Sequence, residues 1–148
     1  MPKLSEFLQK QQATVHSVEN AKKQEMWLAA VDALLKQLRT WVADVEAQSL
    51  LQVEADQISI TEETTGAYTV PALTLTVPNT GKKVRVIPIG RTIIGADGRV
   101  DLKSSKGKYV LLYLAEQKKW VHGVGGHPED FPVLNEELFT DLLTRALE

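Results

Sequence analysis

The sequence predicts an α+β fold in two layers: an N-terminal helix or helical hairpin, a five- to six-stranded antiparallel meander, and a C-terminal helix. Three observations predict it. Apolar residues Trp27, Val31, Leu34, Leu38, Trp41 and Val45 recur at spacings of 4, 3, 4, 3 and 4, a helical stripe. After Ala55 the period falls to two, and Gly66, Gly81, Gly98 and Gly107 divide the chain into short runs. From Asn135 the helical period returns, with Leu138, Phe139, Leu142, Leu143 and Ala146 on one face.

Residues 26–51 carry the strong stripe, widened by Leu28, Leu35 and Val42, with no Gly or Pro inside it. Upstream, Leu4, Phe7, Leu8, Val15 and Val18 form a weaker helical pattern. The polar stretch 19–24 either separates two helices, with Asn20 as a cap, or belongs to one long helix. Ile58 and Ile60 then alternate with polar neighbours, and Thr64-Thr65-Gly66 reads as a turn. Tyr68, Val70, Leu73, Leu75 and Val77 follow, with Pro71 pointing to an edge position or a bulge. Pro78-Asn79-Thr80-Gly81 is a turn, because Pro presets φ and Gly accepts φ > 0. Val84, Val86 and Ile89 make the next strand, bent by Pro88 and Gly90. Asp97-Gly98 reads as a hairpin turn before a short strand 99–103. Residues 104–107 turn the chain again. Residues 109–114 are apolar on both faces, which predicts a central strand, and 116–118 turn into a last strand at 119–122. Connections this short force antiparallel neighbours, since a parallel crossover needs about a dozen residues. Asn135 is placed to cap the closing helix, with Glu136 and Glu137 at its positive end and Arg145 at the other.

One domain is expected from 148 residues: 1–55 helical, 56–123 sheet, 124–148 loop and helix. A hydrophobic fraction of 43% can bury a core without metals or disulfides. The absence of cysteine excludes disulfides, thiolate metal sites and cysteine nucleophiles. The opening MPKLSEFLQKQQ lacks the apolar run of a signal peptide, and no stretch reaches membrane-span length. A cytoplasmic protein with no membrane partner is expected.

Charge gives the sharpest functional hint. Residues 82–122 hold ten Lys and Arg against three Asp and Glu, between acidic flanks, although the whole chain is only −2. Such asymmetry points to an anionic partner. Lys83 and Arg85 point the same way on one strand, as Lys106 and Lys108 do within their own segment. These four, with Arg91, Trp120, His122 and His127, are the candidate partner-binding residues. The bland alternative is that lysines keep strand edges soluble and that acidic helices neutralise them.

The segment 122–132 is the longest irregular stretch, and His122, His127, Glu129 and Asp130 could supply a general acid and base or metal ligands. Its His-x4-His spacing lies among glycines, where no helix would fix the geometry. Ser105 and Lys108 form a formal S-x-x-K match, but in a hairpin turn rather than on a helix face. The Trp27–Val45 stripe would serve a homodimer as well as an internal core. The expected function is therefore a non-enzymatic adaptor, inhibitor or immunity-type protein that holds a protein partner on an exposed sheet face, without a cofactor. The alternatives are a nucleic-acid binder using the basic strands 82–119, and a metal-dependent hydrolase centred on residues 122–130.

Overall fold

The computed structural model describes residues 2–62, 66–90, 96–124 and 130–148, and side chains 4–6, 8 and 21–41 of the first helix. That helix does not break where its sequence turns polar. α1 runs unbroken over Pro2–Trp41, so the stretch 19–24 is helix and no second helix starts at Asn20. No Gly or Pro interrupts it, and polar residues without a breaker continue a helix. Among its described residues, none before Trp27 is buried, whereas Trp27, Ala30, Val31, Leu34, Leu35 and Leu38 all are.

The stripe ends earlier than its spacing suggests. The helix is interrupted at Val42, and a short α2 follows at Ala43–Ala47. Thr40 Oγ1 donates to Lys36 O at 2.9 Å, the back-bonding that bends helices. Val45, the last residue of the stripe, is exposed. Ser49 then takes a positive φ of 60° and turns the chain into the sheet.

The sheet has six strands in the order β1-β2-β3-β4-β5-β6, every neighbouring pair antiparallel. They are β1 Gln52–Glu62, β2 Gly66–Thr76, β3 Lys83–Gly90, β4 Gly98–Ser104, β5 Gly107–Leu114 and β6 Lys119–His122. The sheet thus starts at Gln52, short of the expected boundary at Ala55, because Val53 belongs to the core. Pro71 lies where β2 has run past its pairing with β3, which covers only Leu73–Thr76, so its missing N–H costs no ladder bond. The register between β3 and β4 shifts at Pro88–Gly90, the expected bend. Gly81, at φ 71°, closes the β2–β3 turn, its N–H donating to Val77 O at 2.9 Å.

One expectation fails. Asp97-Gly98 is not a hairpin turn but the entrance to β4, where Asp97 N–H donates to Tyr113 O at 2.9 Å. Its carboxylate accepts from Ala115 N–H at 2.8 Å. Gly98 is required by packing: a Cβ there would lie 2.2 Å from Cζ3 of Trp27. Residues 109–114 form an interior strand as expected, paired with β4 on one side and with β6 on the other, one place in from the edge. The strand is apolar on both sides because both sheet faces bury side chains.

α3, Glu136–Leu147, and the second half of α1 cover one face. Asn135 Oδ1 accepts from Leu138 N–H at 2.7 Å, the cap that its sequence foretells. Phe139, Leu142, Leu143 and Ala146 join Val31, Leu34, Leu38, Leu75, Val84, Val86, Val100, Leu102 and Leu111 in the core. The opposite face also buries residues. Asp101 (1% exposed) and Val121 are buried there, and Ile87, Val110 and Leu112 are half-buried. Strand alternation and the cross-strand pairs Ile87↔Asp101, Asp101↔Val110 and Leu112↔Val121 put these five on one side. The far edge is partly closed by 132–134, whose Val133 bridges Val121.

Candidate functional site

The register of the meander brings cations into line. Arg85 of β3 faces Lys103 of β4, and Lys103 faces Lys108 of β5. Neighbouring strands are about 4.8 Å apart, so three positive side chains stand side by side on the face away from the helices. Lys83 lies two residues from Arg85 on the same side. Like charges directly opposite one another destabilise a sheet. Asp56 offsets part of this, its carboxylate 3.0 Å from Nη2 of Arg85. Both groups are partly exposed, so the pair is worth about 0–1 kcal/mol. Arg85 Nε is buried without an acceptor. Among the described residues, Lys83, Lys103 and Lys108 form no ion pair, and all three are exposed.

Lys103 becomes a neighbour of Lys108 only through the register of the β4–β5 hairpin. The signal was present nonetheless. A two-residue turn at Ser105-Lys106 forces Ser104 to face Gly107 and Lys103 to face Lys108. The same turn removes Lys106 from the row: it sits at the tip, its N–H 3.3 Å from Ser104 Oγ. Arg91 and His127 lie outside the described residues, as do Glu129 and the turn residues Thr64 and Thr65.

Other members of the basic segment have internal partners. Lys82 Nζ lies 2.6 Å from the backbone oxygen of Glu148, at the carbonyl end of α3, where a cation is favoured by the helix dipole. Arg99 grips the buried Asp101 with two bonds, Nε–Oδ1 at 2.7 Å and Nη2–Oδ2 at 3.1 Å. The bond to Asp101 raises the Arg99 pKa above its ordinary value, against the opposing effect of burial.

Trp120 and His122 are not part of the row. Both project on the helix side, since they pair with Tyr113 and Leu111. Trp120 packs on Tyr113, ring centroids 4.9 Å apart, and on Trp27 at 6.0 Å. His122 meets Tyr109 edge-on at 5.8 Å. Burial and then the positive charge of Arg145 lower its pKa below the usual histidine value. Of the loop residues weighed for acid–base chemistry, the described Asp130 is exposed. No group of three or more His, Asp or Glu able to hold a metal is found among the described residues. No described helix is long and apolar enough to cross a membrane.

The arrangement offers a multivalent cationic surface for a negatively charged ligand. Comparisons with family models, with curated proteins and with solved structures give no match to this chain.

Proposed function

We propose that the chain is a non-enzymatic binding protein that receives an acidic segment of a protein partner on Lys83, Arg85, Lys103 and Lys108. The observation that carries this reading is the direct cross-strand alignment of Arg85, Lys103 and Lys108 over three adjacent strands. Such a row costs folding free energy by itself and gains from an anion laid across it. A partner that supplies carboxylates at several points would bind with steep salt dependence. The aromatic residues favour a protein over a nucleic acid. Tyr109, Tyr113 and Trp120 are packed on the helix side of the sheet and offer no platform for stacking bases beside the row. The lack of cysteine fits a reducing, cytoplasmic setting.

Fluorescence anisotropy with a dye-labelled acidic peptide, and with single- and double-stranded oligonucleotides, at two salt concentrations tests the reading. The acidic peptide should bind at low salt and be released at high salt. A variant with Lys83, Lys103 and Lys108 all changed to Gln should lose most of that binding and melt no lower than the parent, because exposed lysines add little stability and their loss relieves the repulsion along the row. Tighter binding of an oligonucleotide than of the peptide would transfer the site to nucleic acid. No binding of any probe at low salt would end the proposal.

A further inference from the structure

We infer that one end of the cationic row is a receptor for a phosphoryl group, so that the acidic partner is recognised in a phosphorylated form. This deepens the reading above and rests on it.

Two turns meet at this end of the sheet. The β2–β3 turn delivers Thr80, and the β4–β5 turn delivers Ser104 and Ser105. Between them Lys83, Arg85 and Lys103 line a groove with no acidic residue in its lining. A fourth cation, Lys82, lies in the same lining with its Nζ already held by Glu148 O. The other three cations and the three hydroxyls around one concavity offer more donors than a carboxylate has sites to accept. A phosphomonoester has three terminal oxygens and close to two negative charges at neutral pH, and it fits that surplus. The hydroxyls of Thr80 and Ser104 already accept from backbone N–H groups, of Lys82 and Lys106, each at 3.3 Å. Those bonds hold the two oxygens in place and leave both hydroxyl protons to donate. Arg85 and Lys103 stand opposite each other in register, so an anion seated between them relieves a repulsion that the fold itself builds in. Arg85 commits one nitrogen to Asp56, and its guanidinium can offer further donors to a phosphate.

Lys108, farther along the row, takes the carboxylates that flank the phosphorylated side chain. A dianionic monoester suits this site better than the singly charged diester of a nucleic-acid backbone. Nothing in the groove lining is a large exposed apolar side chain of the kind that anchors a protein in lipid.

The test compares a dye-labelled acidic peptide bearing one phosphoserine with the same peptide unphosphorylated, on the full chain. The phosphorylated form should bind at least about tenfold tighter, the worth of one added charge-assisted bond. Its affinity should rise between about pH 5.5 and 7.5, as the second phosphate proton leaves near pH 6. The unphosphorylated peptide should show no such rise. Inorganic phosphate should compete with the phosphopeptide. Lys103→Gln, at an exposed position, and the hydroxyl-deleting Ser105→Ala should each shrink the preference for phosphate while the melting temperature holds. Equal affinity for the two peptides would overturn the phosphoryl inference and leave the acidic-partner reading standing. Failure of both peptides to bind at low salt would overturn both. Tighter binding to vesicles containing phosphoinositide than to the phosphopeptide would overturn the assignment to a protein partner.

Discussion

Replacing Gly98 with Ala should cost about 1–2 kcal/mol, and the loss should depend on Trp27, a residue far away in the sequence. The backbone at Gly98 is open to any residue, since its φ lies outside the positive region, so conformational strain is not the reason. Space is. The new Cβ would stand 2.2 Å from Cζ3, 2.6 Å from Cε3 and 3.0 Å from Cη2 of Trp27, while ordinary contact begins at 3.4 Å. The ring must therefore retreat by more than about 1 Å, and it has nowhere to go: Trp27 is 3% exposed and lies against Trp120. Overpacking of this kind costs about 1–3 kcal/mol. The stiffer unfolded chain of an Ala variant returns about 0.4–1 kcal/mol. In a Trp27→Leu background the ring is absent, and Gly98→Ala should become neutral or slightly stabilising. Urea denaturation of the four proteins, followed by far-UV circular dichroism, measures the coupling, expected near 2 kcal/mol. Equal losses in both backgrounds, or no loss in the first, would refute the packing argument.

Leu38→Ala should cost about 2–4 kcal/mol, because Leu38 is 1% exposed within the core and its loss leaves a cavity. The same denaturation midpoint at every protein concentration would confirm an internal core, and a shift on dilution would show a dimer seam instead. Asp101→Ala should cost about 2–3 kcal/mol by stranding the guanidinium of Arg99, and thermal melts should show it with little dependence on salt. His122 titrates below its ordinary value of 6.5, so its folded form prefers the neutral state. The unfolded chain then binds more protons below that value. The stability contribution is complete above about pH 6.5 and is lost as pH falls through the folded pKa. His122→Gln should flatten that part of the stability–pH curve measured by urea melts, and an unchanged slope would contradict the assignment.

Local chemistry made much of the fold legible. The Pro78–Gly81 turn, the bend at Pro88–Gly90 and the Asn135 cap depend on residues a few positions apart, and each is found where its residue types place it. Tertiary effects were less legible. Asn20 had the chemistry of a cap but no reason in the chain for the helix to stop. The apolar run 109–114 marked an interior strand, but not which side each residue serves: Leu111 joins the helix-packed core, while Leu112 faces the second buried side of the sheet. The contact of Gly98 with Trp27 joins positions that no local pattern links. For the site, Lys83 and Arg85 were readable from alternation along one strand. Lys103 required the register across a turn, and Trp120 and His122 required knowledge of which side the helices cover.

The two rims of the sheet are not alike, and the difference limits how copies of the chain could join. At β6, backbone groups of Trp120 and His122 are already taken by Leu134 and Pro132, at 2.9 Å each. At the other rim, β1 extends over eleven residues and carries Glu54, Asp56 and Glu62. Strand-by-strand polymerisation needs two open rims, one to receive and one to offer. A second copy could meet β1 only with its own β1, acidic strand against acidic strand, and such a pair would have no free rim left for a third. The geometry that closes the meander thus also guards it against growing into a fibril.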